Sequence, residues 1–412
     1  MGDDVVRFQD MNRILTGHKT EEKFSMVGPL LATPLYYLGR ALGELERWVW
    51  HFNRVVLLTA CVGFWWLFRP ILSVVERARF TVALAMVSMI PHHLMFFGGE
   101  TFTCVVVSFG MAAFMIRGAW WGVPLMVAGA VNLPGTMGGL ACAALVLVAR
   151  TRRLRYLALP PIAFGLWLLE NYVRRGDLWF TGYDGDHGVP TVLPYSGKWE
   201  FSYPLFFGLL SVLFSFGKGL IFFVPALFLP LPADPDRPAG DEDRLRWVYR
   251  GWMGFMVGVV LMYSKWWCWA GGWFWGPRFF LFGCFVAALV LARRTAGAGR
   301  ASTGANLLTL LALVLSGWVA LCGLVYQQSG LIRYVPDGYA LEFVVWYVPE
   351  CSALWWPFVT PVPFQTQDWV WLAVIVTGLG YLAGPVLAAL TRQLPEYVSA
   401  GWRTVCAGPV RI

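Results

Sequence analysis

The sequence predicts an all-α integral membrane protein with about 11 transmembrane helices, on three observations. Hydrophobic residues make up 58% of the 412 and charged residues only 14%. The mean hydropathy is +0.59. A soluble domain carries roughly 25% charged residues because its surface faces water, and this chain lacks the charge to cover one. Runs approaching the ~20 apolar residues that a helix needs to cross a bilayer recur along the whole sequence.

The runs fall near 55–69, 80–97, 102–116, 119–131, 135–149, 156–172, 219–231, 247–264, 279–292, 306–325 and 369–391. Some pairs are joined by turn residues: Asn132-Leu133-Pro134-Gly135 between 119–131 and 135–149 reads as a tight turn at the membrane face. Alternate loops differ in charge. One set carries Arg69, Arg77, Arg79, Arg117, the Arg150–Arg155 cluster, Arg237, Arg244, Arg246, Arg250, Arg293, Arg294, Arg300 and Arg392, sixteen cations in all. The other set, after residue 54, holds seven: Arg174, Arg175, Lys198, Lys218, Lys265, Arg278 and Arg333. The positive-inside bias therefore assigns the first set to the cytoplasm. Outside lie the segment before residue 55, the loops 173–218 and 326–368, and the short loop 265–278.

The chain thus divides into a first external segment (1–54), a transmembrane core (55–325) and a last external loop, helix and cytoplasmic tail (326–412). Residues 26–38 hold 13 residues with two prolines, too short to span, and are expected at the membrane interface. Parity leaves the basic residues 1–54 outside without a signal peptide, which predicts a transmembrane helix ahead of Met1.

Net charge is +8, and only five of the 32 basic residues are Lys. No basic tract is interleaved with base-stacking aromatics, so the charge reads as topology and not as nucleic-acid binding. Five of the eight cysteines lie in apolar runs as small packing residues, and no spacing resembles a zinc site. Cys268 and Cys351 both fall in external loops, where a disulfide is a candidate.

Three external segments gather polar and aromatic residues. The first, Gly2-Asp3-Asp4-Val5-Val6-Arg7-Phe8, opens an amphipathic stretch ending near Leu15. Its carboxylates and Arg7 suit a general base with an orienting cation, and equally an ordinary helix start. The second runs from Gly182-Tyr183-Asp184-Gly185-Asp186-His187 to Ser215-Phe216-Gly217-Lys218-Gly219. Lys218 among glycines suits a phosphate, or a lysine snorkelling to the interface; the pattern is not a Walker motif. Asp184, Asp186 and His187 offer metal ligands, although turn chemistry also accounts for them. The third, Lys265 to Arg278, packs five Trp into ten residues, more than an aromatic belt needs. Indole faces suit sugar rings, and Arg278 suits bidentate contact with phosphate. Glu100 and Glu170 lie near external helix ends, where an ionisable group is a functional candidate. The pair His92-His93 is read as structural, and Asn132 as a turn residue.

Phe24-Ser25-Met26-Val27-Gly28-Pro29-Leu30, Ser215-Phe216-Gly217-Lys218-Gly219-Leu220 with Pro225, and Gly271-Gly272-Trp273-Phe274-Trp275-Gly276-Pro277-Arg278-Phe279 occur in that order. Together they resemble the bacterial polytopic glycosyltransferases of the GT-C superfamily, which include protein O-mannosyltransferases and aminoarabinose transferases of lipid A. The likeness runs from about residue 3 to 290. In that family the Lys218 segment typically reads SPGKG; here Phe216 stands in the proline position. The family's first external loop carries Asp-Glu-x-Arg-Tyr after its first transmembrane helix. Asp4-Val5-Val6-Arg7-Phe8 fits the Asp, Arg and aromatic positions, with Val5 in place of the Glu.

The resemblance implies a GT-C-like fold whose extracytoplasmic loops form an active site in a bacterial plasma membrane. It implies transfer of a sugar from a polyprenyl-phosphate donor to a hydroxyl of a glycan, glycolipid or protein, with inversion. Asp4, or Asp3 as second candidate, would be the base, with Arg7 orienting Asp4. Lys218 and Arg278 would hold the leaving phosphate, Trp273 and Trp275 would flank the sugar or first isoprene units, and Glu100 would meet acceptor or metal. No nucleotide-binding loop is needed, and a divalent metal is left open as cofactor. Two rivals stand beside this reading: a secondary transporter, and an inactive relative that binds the sugar lipid without turning it over.

Overall fold

The computed structural model describes residues 2–20, 22–183, 191–194, 196, 198, 200–328, 330–331 and 340–406. It is all-helical, with 73% helix and no strands among the described residues. Among the described residues, thirteen α-helices of ten or more residues form the frame. They are α1 (Asp3–Leu15), α2 (Thr33–Leu42), α3 (Phe52–Leu67), α4 (Val74–Met86), α5 (Gly99–Arg117), α6 (Gly122–Asn132) and α7 (Met137–Thr151). There follow α8 (Leu159–Arg175), α9 (Leu205–Phe214), α10 (Ala239–Tyr263), α11 (Gly283–Ala296), α12 (Thr303–Leu321) and α13 (Thr366–Cys406). Among the described residues four stretches, Gly99–Arg117, Pro134–Thr151, Thr303–Tyr326 and Thr366–Leu394, are long and apolar enough to cross a membrane.

At the centre lies α11, apolar almost all round, with its residues buried from Gly283 through Arg293; such a helix belongs in the middle of a bundle. It packs on α4, while α7 pairs with α10, α5 with α6, and α12 with α13. Small residues set the closest crossings. A Cβ on Gly138 would sit 2.8 Å from the carbonyl oxygen of Gly258, and one on Gly110 2.5 Å from that of Gly122. Backbones meet there as they do between membrane helices, where packing replaces the hydrophobic drive. Phe64, Phe68, Phe80, Trp252 and Phe285 interlock in the core, and Trp252 Nε1 donates to the Ser108 carbonyl at 3.1 Å.

Three apolar runs depart from expectation. The run read at 80–97 stops as helix at Met86 and resumes only as a separate four-residue helix, Ile90–His93. The span read at 219–231 is not one helix: four α-helical residues, Leu220–Phe223, give way at Val224 to a 3-10 turn, Pro225–Phe228. Pro225 cannot donate to a continuing helix, which ends the run there. Conversely, Leu205–Phe214 is an apolar helix inside the expected external loop 173–218. Within and beside 26–38, Leu30, Leu31, Tyr37, Leu38 and Leu42 are exposed.

Candidate active site

Helix α1 carries its charges inward. Asp4, Arg7, Asp10 and Met11 are buried, a stripe at helical spacing. That stripe packs toward the start of α5, where Gly98 is the N-cap and no side chain caps the helix. Gly98-Gly99 lets the Arg7 guanidinium lie on the backbone: a Cβ on Gly99 would sit 2.7 Å from Arg7 Nη1. Its other face stacks on the Phe24 ring, 4.4 Å from the centroid. Arg7 Nε and Nη1 are buried without a hydrogen-bond partner.

Arg278 joins three distant segments. Its Nη1 donates to Asp3 at 2.7 Å and lies 3.1 Å from Glu100 Oε1. The guanidinium also stacks 3.8 Å over Phe274, and its Nε has no partner. Burial opposes the charge, but Glu100 and Asp3 outweigh it and raise Arg278 above its ordinary pKa. Asp3, Glu100 and Arg278 are thus brought together, with buried Asp4 one residue from the ion pair.

The expected pairing of Arg7 with Asp4 does not form. Among the described residues no carboxylate lies within ion-pair distance of Arg7; Gly99 and Phe24 hold it instead. Lys218 is buried, and its ammonium donates to the carbonyls of Phe274, of Gly276 at 3.1 Å and of Gly272 at 3.4 Å. It pins the tryptophan-rich loop from below. Burial lowers its pKa to about 7, opposed by Glu342. Trp275 is 2% exposed and packs on His92 and Phe223, a core residue where a sugar contact was expected. Trp273 is half-buried. Cys268 and Cys351 are both free thiols. Asp184, Asp186 and His187 lie outside the described residues, and among those described no group of three or more His, Cys, Asp or Glu is placed to hold a metal.

Other residues build the site without having been expected there. Asn132, read as a turn residue, is buried: its Oδ1 accepts from Gly28 N at 2.9 Å, and its Nδ2 donates to Gly99 O and Thr103 Oγ1, each at 3.0 Å. Asn53 Nδ2 donates to the carbonyls of Phe96 and Gly98. The two asparagines fix the glycine turn that seats Arg7 and Glu100. Glu170, expected to be functional, holds the Phe24 segment: it accepts from Ser25 Oγ at 2.8 Å and Met26 N at 2.7 Å. Arg174 pairs with Glu170 at 3.3 Å and Asp10 at 3.6 Å, and donates to Phe24 O. Tyr183 lies within electrostatic reach of Arg7, Asp3 and Arg278, its phenol held above its ordinary pKa by burial.

Beside this cluster runs an apolar cleft of about 610 Å³, lined by Met26, Val27, Leu30, Val127, Val131 and Leu166 among others, with Arg174 and Lys19 at its polar edge. Phe24 connects the two places, its ring beneath Arg7 and its carbonyl on Arg174. The chain matches no family model, no curated protein and no solved structure.

Proposed function

We propose that this chain is an integral membrane glycosyltransferase of about 11 spans, lodged in a bacterial plasma membrane with its active site on the extracytoplasmic face. It moves a sugar from a polyprenyl-phosphate donor to an acceptor hydroxyl on a glycan, glycolipid or protein. The observation that carries the reading is the Arg278 cluster: Arg278 meets Asp3 and Glu100, from segments 275 and 178 residues away in sequence, beside buried Arg7 with unused donors. An unpartnered guanidinium and an uncapped helix N-terminus in one place call for an anion, and a lipid phosphate supplies it. The adjoining apolar cleft suits the chain attached to that phosphate.

In this mechanism Asp4 takes the proton of the acceptor hydroxyl as its oxygen attacks the anomeric carbon. The bond from that carbon to the phosphate oxygen breaks, its electron pair leaves with the phosphate, and the configuration inverts. Arg7 Nε and Nη1 and Arg278 Nε, buried without hydrogen-bond partners, are the donors this mechanism assigns to the charge that develops on the phosphate. Asp3 and Glu100 hold Arg278 in place, and Lys218 supports the loop that carries it.

Purified chain and Asp4→Asn, given a panel of polyprenyl-phosphate sugars with acceptor extract, test this by mass spectrometry of released polyprenyl phosphate. Turnover is expected to fall about 10²–10⁴-fold in Asp4→Asn while donor binding holds. Unchanged turnover removes Asp4 from the mechanism. Donor binding without release by either protein favours an inactive sugar-lipid-binding relative. A secondary transporter is the second reading, drawn from the break between Leu205–Phe214 and Leu220–Phe223 with Lys218 buried at it, since transporters use discontinuous helices. Label accumulating inside proteoliposomes, with no polyprenyl phosphate released, would favour it.

A further inference from the structure

A second cleft, about 390 Å³, lies between the end of α12 and the start of α13 and shares no residue with the Arg278 cluster. Here α12 runs into a π-helical turn, Cys322–Tyr326, a conformation that concentrates at functional sites. The next residue, Gln327, has φ 52° and ψ −147°, a region that favours glycine. It is held there from both sides: its N–H donates to Cys322 O at 2.6 Å, and its carbonyl accepts from Trp356 Nε1 at 3.4 Å. A strained non-glycine backbone kept in place at a cleft is a mark of ligand clamps.

The lining selects the ligand. Gln327, Thr360, Gln365, Gln367 and Asp368 supply polar side chains, and Tyr326 and Trp356 the rings. Among the described lining residues none is Lys or Arg. Asp368 is the single carboxylate among the described lining residues, and its Oδ2 already accepts the Gln365 N–H at 2.7 Å, which makes a poor cation site. Side-chain amides both donate and accept, as neighbouring hydroxyls do. An aromatic wall suits the apolar face of a sugar ring, and the volume lies within the ~300–1,000 Å³ of small-molecule sites.

We propose that this cleft binds a neutral carbohydrate, its hydroxyls read by the amides of Gln327, Gln365 and Gln367 with a sugar face against Tyr326. The site is separate from the proposed transfer centre and needs no turnover. The test is saturation-transfer difference NMR on the full chain in nanodiscs. The probes are methyl glycosides of glucose, galactose, mannose and N-acetylglucosamine, with glucuronate and glucose 1-phosphate as charged controls. At least one neutral glycoside is expected to receive saturation in preference to the charged sugars, with Asp4→Asn unchanged. Affinity is expected to fall about tenfold in Gln327→Gly and in the double variant Gln365→Ala/Gln367→Ala. Gln327→Gly retains its fold, since glycine accepts that φ without strain. The proposal is overturned if no neutral glycoside receives saturation, if the charged sugars bind better, if both variants bind as the parent does, or if Asp4→Asn abolishes the signal. Failure of the transferase reading leaves this readout unmoved.

Discussion

Helix α11 has a charge cluster at each end, and the two are built differently. Past its C-terminal half, Glu76 accepts from Ser73 N at 2.8 Å and Arg237 Nη2 at 2.7 Å, and pairs with Arg293. Asp234 meets Arg293 at 3.3 Å and Arg300 at 3.2 Å. Glu242 Oε2 stands 3.8 Å from both Arg237 and Arg293. Charges of opposite sign interlock there, and they staple α4, α10 and α11 to the loop between α9 and α10. At the other end Arg278 has its two carboxylates, while Arg7, 3% exposed, has no ion-pair partner among the described residues and two unused donors. A buried cation without a counter-ion costs stability. Arg77, stacked on Trp65 with its Nε unused, bears that cost too. What sets Arg7 apart is its place beside Arg278, Asp3 and Glu100. On the function proposed above, we read the contrast as a staple at one end and an anion site at the other.

Breaking the staple gives the largest effect. Glu76→Gln leaves Arg293 and Arg237 only their ion pairs with Asp234 and Glu242 and is expected to lower unfolding free energy by about 3–5 kcal/mol, read by thermal or chemical unfolding in detergent. A loss under 1 kcal/mol would erase the distinction between the clusters. Lys218 gives a smaller, pH-dependent effect. The folded chain releases its proton near pH 7 and the unfolded chain near 10.5. The unfolded state therefore binds more protons in this window, and stability rises with pH across it. Wild type is expected to gain on Lys218→Met as pH climbs from about 7 towards 10. A difference in melting temperature that stays flat over that range would assign Lys218 an ordinary, solvated ammonium.

Much of the frame was legible because hydropathy marks where a chain avoids water. The runs 102–116, 135–149 and 306–325 became α5, α7 and α12 with ends shifted by a few residues. Hydropathy does not report backbone continuity, so 219–231 read as a span despite Pro225, and Leu205–Phe214 was too short to register. In the site, the resemblance drew attention to Asp3, Glu100 and Arg278, which the fold brings together. The Arg7–Asp4 pairing failed because Gly98-Gly99 offers the guanidinium a flat backbone seat that spacing along α1 cannot reveal. Asn132 was hidden for a related reason: one of its partners, Gly28, is 104 residues away, and a turn asparagine explains itself locally. Lys218 and Trp275 carried the residue types of a binding loop, yet they act on that loop's own backbone and core.

The most direct measurement compares wild type with Arg7→Met for stabilisation by polyprenyl phosphate, read as a thermal shift in nanodiscs. Met fills the space against Phe24, so the variant should fold with stability within about 1 kcal/mol of wild type. Wild type is expected to gain about 2.7 kcal/mol at a hundredfold excess over Kd, and Arg7→Met to lose most of that gain while Arg237→Met, where folded, keeps it. An Arg7→Met protein that is shifted as strongly as wild type would contradict an anion site at the Arg278 cluster.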